Sequence, residues 1–172
     1  MTDEQRRIRE YLRAQGAKLT PDDIIEKVRL AMADLDRAAL AVPAHRFDER
    51  PAPEEWSGNE VMAHVVDSGR HFGDQVIAIL EGRPRSATGR EQPAAERHTA
   101  SEWTTILQRD REVLFERALR ADPRAHLDAM VEHRMFGPLN WCEILLFTRL
   151  HDLDHAGQLQ KIVVAFAAPR PV

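Results

Sequence analysis

Four helix-starting signatures recur along this chain, and they constrain its fold more than any other feature. Thr20-Pro21-Asp22-Asp23 combines a capping hydroxyl, a proline at the first helical position and acids at the positive end of the helix dipole. Ser57-Gly58-Asn59-Glu60 and Thr99-Ala100-Ser101-Glu102 are capping boxes, in which hydroxyl and carboxylate each satisfy an orphaned backbone N–H. Asn140, with Glu143 three residues on, opens a last helix.

The residues after each signature keep helical time. Ile24, Ile25, Val28, Met32, Leu35 and Ala39 form one apolar stripe, ended by Pro43. The helix from Ser57 is expected to reach about Glu81, where Gly82 and Pro84 close it. The third carries Trp103, Ile106, Leu107, Val113, Leu114 and Leu119 before Pro123, Gly137 and Pro138 break the pattern. The fourth runs to about Ala167, before Pro169. A short polar helix over about Asp3 to Gln15 precedes them, an arm or lid, and residues 83–97 read as a long exposed loop. We find no alternating strand, no internal repeat and no low-complexity tract. The expectation is an all-α fold: a four-helix bundle with long crossover connections plus a short N-terminal helix, in one domain spanning 1–172. Long links between its second and third helices, and between its third and fourth, permit neighbours to run parallel.

Composition narrows the function. Apolar residues make up 43% and charged residues 30% of the 172, the balance of a globular protein rather than a disordered one. A net charge of -4 argues against nucleic acid as a partner, since phosphate binding needs a basic face. No apolar run approaches the ~20 residues of a membrane span. The start lacks the apolar core of a signal peptide, and a single cysteine, Cys142, fits a reducing compartment, so a cytoplasmic location is expected.

The chemistry sits on the last helix, in Leu150-His-Asp-Leu-Asp-His155. At 3.6 residues per turn His151 and His155 project from one face, where two imidazoles can chelate one divalent ion. The same face carries Phe147, Thr148, Gln158 and Ile162, which turns the pair inward. The competing reading is a soluble pair on an exposed face, kept there by Asp152 and Asp154. His64, flanked by Val61, Met62, Val65 and Val66, is the third candidate, from a facing helix. Three neutral imidazoles leave a coordination position open for water or substrate. Cys142 lies more than two turns from His151 and is not counted as a ligand. Asp67 and Gln158 are candidates to orient a ligand, or else ordinary helix residues. His71 either lines the cavity or makes a core hydrogen bond, and His133 approaches from the loop before the last helix. His45, His98 and His126 read as solvated. Trp56 and Trp103 read as anchors of helix ends, and Trp141 as core or a subunit contact.

Two stretches, "EEWSGNEVMAHVVDS" and "EHRMFGPLNWCEILLFTRLHDLDHAGQL", make the pattern recognisable across about residues 54–160. The chain resembles the DinB/YfiT-like superfamily of metalloenzymes, which shares only a name with a DNA polymerase. Its Trp-Ser lead-in to a helix with one histidine matches the first stretch. Its Phe-Gly-Pro turn into a helix ending His-x-x-x-His-x-x-Gln matches the second. The resemblance implies that His64, His151 and His155 bind one divalent metal ion, often nickel or zinc. Many members carry a further histidine where this chain has Asp154, so the ligand positions are kept and a neighbour is lost. Relatives include thiol-dependent transferases and isomerases that use bacillithiol, mycothiol or glutathione, and are often dimers.

The expected activity is therefore a divalent-metal-dependent enzyme, a thiol-dependent S-transferase or isomerase acting on a small electrophile. Metal would lower the pKa of a bound low-molecular-weight thiol, which then attacks. Two alternatives use the same residues: a hydrolase with metal-bound hydroxide, and a non-catalytic metal-binding stress-response bundle with a closed coordination sphere. The expected partners are a small-molecule substrate and a second copy of the chain in a homodimer, with neither nucleic acid nor membrane.

Overall fold

Each expected start is a helix start in the structure, a computed structural model that describes residues 1–83 and 96–168. The helices are α1 (Asp3–Lys18), α2 (Pro21–Ala41), α3 (Gly58–Leu80), α4 (Ala100–Arg120) and α5 (Trp141–Ala167), with one 3-10 turn at Ala44–Arg46. All five open with a reciprocal capping box, built on Thr2 and Gln5, Thr20 and Asp23, Ser57 and Glu60, Thr99 and Glu102, and Asn140 and Glu143. Each box removes two orphaned donors from the first turn, so the boundaries follow local chemistry rather than packing. At the far end of α3, Gly82 takes φ +63°, and Arg83 and Gly82 donate to the carbonyls of Ala78 and Ile79. That is the left-handed cap which glycine adopts without steric cost. Most of the loop expected over residues 83–97, with Pro84, and the stop at Pro169 lie outside the described residues.

The bundle is all-α, and its helix directions follow from pairs along its length. Asn59 meets Trp103, Arg70 meets Asp110 and Glu81 meets Arg117, so α3 and α4 run parallel. His64 faces His155 and Phe72 faces Phe147, so α3 and α5 run antiparallel. Arg29 pairs with Glu112, while Asp36 faces Thr105 and Arg109, so α2 and α4 are antiparallel as well. The principal contacts run α2–α5, α5–α3, α3–α4 and α4–α2, which leaves α4 and α5 on one diagonal and α2 and α3 on the other. A parallel α3–α4 pair needs a connection that returns the length of a helix, and residues 81–99 supply it.

One hydrophobic cluster fills the centre, with Leu35, Met62, Phe115, Trp141 and Leu145 all fully buried. Two expectations are corrected. α1 is no free arm: Leu12 is completely buried, and a Cβ on Gly16 would lie 3.0 Å from Cγ of Glu143 at the start of α5. Ahead of α5 is a short antiparallel hairpin, β1 (Val131–His133) and β2 (Gly137–Leu139), pairing Val131 with Leu139 and His133 with Gly137. Three-residue strands are too short for alternation to register in sequence, and Pro138 falls within one of them. No helix among the described residues is long and apolar enough to cross a membrane.

Candidate metal centre

Three imidazoles converge where α3 meets α5. Nε2 of His151 lies 3.2 Å from Nε2 of His64 and 3.2 Å from Nε2 of His155. Among the described residues these three form the one such cluster of histidine, cysteine or carboxylate donors, all within 4.8 Å of one another. Two nitrogens bound at about 2.0–2.1 Å to one tetrahedral ion stand about 3.3–3.4 Å apart, so the observed spacing suits such a donor set. Helix geometry brings His151 and His155 together, one turn apart. The antiparallel crossing of α3 and α5 brings His64 to them.

The surroundings hold His64 and His151 neutral. Burial, followed by the neighbouring His155 and His64, pushes His151 down to about 2, with Arg111 and His133 adding to the effect. His64 is lowered mainly by burial and then by His155, while the negative charge of Asp67 works the other way. Neutral imidazole is the ligating form. Nδ1 of His155 lies 2.8 Å from Oε1 of Gln158, so the ring donates from Nδ1 and keeps the Nε2 lone pair free. Gln158 thus orients a candidate ligand. Asp67 acts on His64 through its charge.

Trp56, expected to anchor a helix end, also stands against the histidines. Its indole meets the His64 ring edge-on at 5.1 Å and lies nearly parallel to His155 at 6.4 Å. At 38% exposure it forms the rim between the site and solvent. Trp103 and Trp141 are buried instead, donating to Asn59 and to the Ala125 carbonyl.

The remaining histidines divide. His133, on β1, is buried in an aromatic box of Phe72, Phe136 and Phe147, and burial pushes it down to about 4. Its Nδ1 accepts from the backbone N–H of Met135, and it is not among the three converging donors. His71 accepts from the Gln75 amide one turn on, at 2.8 Å. His45 and His126 are exposed as expected, whereas His98 is half-buried against Trp103. Cys142 is buried in the core, where desolvation pushes its thiol up to about 12.

Asp152 is the clearest correction. It does not keep a histidine pair soluble: it is completely buried and pairs at 3.0 Å with the equally buried Arg111 of α4. Asp154, by contrast, is exposed.

No known protein-family model matches the chain, and no curated protein does. A solved structure described as TT2238, a four-helix bundle protein, superposes with a TM-score of 0.61 at 21% identity, covering 83% of this chain and 99% of that one. At that identity the likeness shows a shared bundle fold and nothing further.

Proposed function

We propose that His64, His151 and His155 hold one divalent metal ion, zinc or nickel before others, and that the protein is a metal-dependent enzyme joining a low-molecular-weight thiol to a small electrophile. The observation that carries the reading is the convergence of three imidazoles from two helices, with Nε2 of His151 3.2 Å from Nε2 of each of the other two. The resemblance of both histidine-bearing stretches to the DinB/YfiT-like superfamily supports the same ligand set.

When bound, such an ion lowers the pKa of a thiol or water that occupies its open position. The chain's own residues do the rest. His151 and His64 stay neutral through burial, and Gln158 holds the His155 tautomer. Trp56 narrows the access of bulk water at the rim. A thiol nucleophile has to arrive from outside, because the one cysteine of the chain is buried and its thiol is held at about 12. That favours a thiol cosubstrate such as bacillithiol, mycothiol or glutathione over an internal nucleophile. Against the non-catalytic reading stands the donor count: among the described residues, no fourth histidine, cysteine or carboxylate joins the cluster. The hydrolase reading uses the same three ligands and is separated by its product.

The test is metal analysis of protein never exposed to chelator or a nickel column, alongside His64→Ala, His151→Ala and His155→Ala. The wild type is expected to hold close to one ion per chain and each variant to lose it; full retention in all three sinks the site. Incubation with each thiol and chlorodinitrobenzene then separates conjugation from hydrolysis.

A further inference from the structure

All four bundle helices meet beneath the histidines, and they meet on charged groups. Arg111 of α4 reaches across the diagonal of the bundle to Asp152 of α5, with side-chain exposures of 3% and 0%. On the way it passes under Gly69 of α3: a Cβ there would stand 3.4 Å from Cζ and Nη2 of the guanidinium. Asp36 of α2 approaches from the fourth side, close enough for its carboxylate to be opposed by that of Asp152.

This cluster is a poor stabiliser. Among the described residues, Nε and Nη1 of Arg111, Oδ2 of Asp152 and Oδ1 of Asp36 are buried and find no hydrogen-bond partner. A buried pair with orphaned atoms recovers little of its desolvation cost, and apolar replacements of similar volume are often neutral or stabilising. What such a pair can supply is register.

Apolar packing constrains the register of α5 least at this level. From Trp141 to Thr148 the helix is buried on every side, so its burial pattern there does not single out one face. From Ala156 onward, Leu159 and Ile162 return to the core. Between Thr148 and Ala156 the buried residues of α5 are Asp152 and His155 alone. At the height of the site the apolar packing of α5 against the core is thin: Leu150 joins it while only partly buried.

We infer that Arg111 and Asp152 are positioning residues for the three-histidine centre: Arg111, wedged under Gly69 of the helix that carries His64 and bonded to Asp152 on the helix that carries His151 and His155, sets the rotation and separation of the two. This rests on the reading of the histidines as metal ligands. Breaking the pair leaves every ligand in the chain and moves them apart.

The experiment compares the wild type with the double variant Arg111→Met/Asp152→Leu, which avoids stranding either charge. Three quantities are read: thermal unfolding, zinc affinity by competition with a chromophoric chelator, and the visible absorption of the cobalt(II) form. The double variant is expected to unfold at or near the wild-type temperature, to bind zinc roughly 10–100-fold more weakly, and to show an altered cobalt band. A merely structural pair would change the unfolding temperature and leave the cobalt band alone. Wild-type affinity and an unchanged band in the folded double variant overturn the inference while the metal site stands. Absence of zinc binding in the wild type overturns the site and this inference together. Should the double variant not fold, Gly69→Val keeps both charges and must push the guanidinium aside, because a Cβ alone already reaches it at 3.4 Å; a weakened affinity supports the inference, and an unchanged one overturns it.

Discussion

Asp36 is the residue at which ionisation works against the fold. Burial first, and then the Asp152 carboxylate, push it up from 3.8 to about 6. A carboxyl with a raised folded-state pKa keeps its proton longer folded than unfolded. The cost is therefore absent below the unfolded value, grows between about pH 4 and 6, and is complete above that. Asp36→Asn should stabilise the protein at pH 7 by about 1 kcal/mol, discounted because the side chain is only half-buried, and by much less at pH 4. Urea unfolding at the two pH values measures it; an equal gain at both would count against the cause given. The sequence disclosed the histidines more readily than this cluster. An imidazole inside an apolar helix face is an anomaly that invites an explanation, as at His64 and His155. A lone aspartate or arginine on an amphipathic helix reads as the solvent side, and nothing in the sequence sets Asp36 or Arg111 apart. One signal was available: Asp152 stands four residues before Ala156 and seven before Leu159, on the buried stripe.

Helix starts were the most legible elements, because a capping box is a local contract between two side chains and the adjacent backbone. Pro21, Gly58, Ala100 and Trp141 each begin a helix directly after the cap read from sequence. The same chemistry makes α3 vulnerable at its head. Ser57→Ala removes the hydroxyl that accepts from Glu60 N–H, at about 1 kcal/mol. His64 lies on the second turn of that helix, so loosening the first turn should weaken zinc binding along with stability. Calorimetric titration of the variant checks this, and unchanged affinity would mean that the second turn holds without the cap. The β1–β2 hairpin and the docking of α1 escaped the sequence for different reasons. The strands are too brief to show a period, and α1 is polar apart from residues such as Leu12, whose burial depends on α5 being there to receive it.

At the scale of the molecule, parallel α3 and α4 decide which residues become neighbours. His64 comes to His155 because the chain runs back along the bundle before α5 begins. A ligand that binds only the assembled centre stabilises the fold by mass action, by about 2.7 kcal/mol at one hundred times its dissociation constant. Zinc should therefore raise the unfolding temperature of the wild type and leave His155→Ala unmoved, as thermal scans with and without the ion would show. His64 and His151 are 87 residues apart in sequence. An ion held by both would tie that length of chain into a loop, and in the chain-entropy picture a cross-link over such a span is worth about 4–5 kcal/mol. The chain has a single cysteine and cannot form an internal disulfide. Its staple would be made of imidazole instead, opened by acid or a chelator and indifferent to reductant.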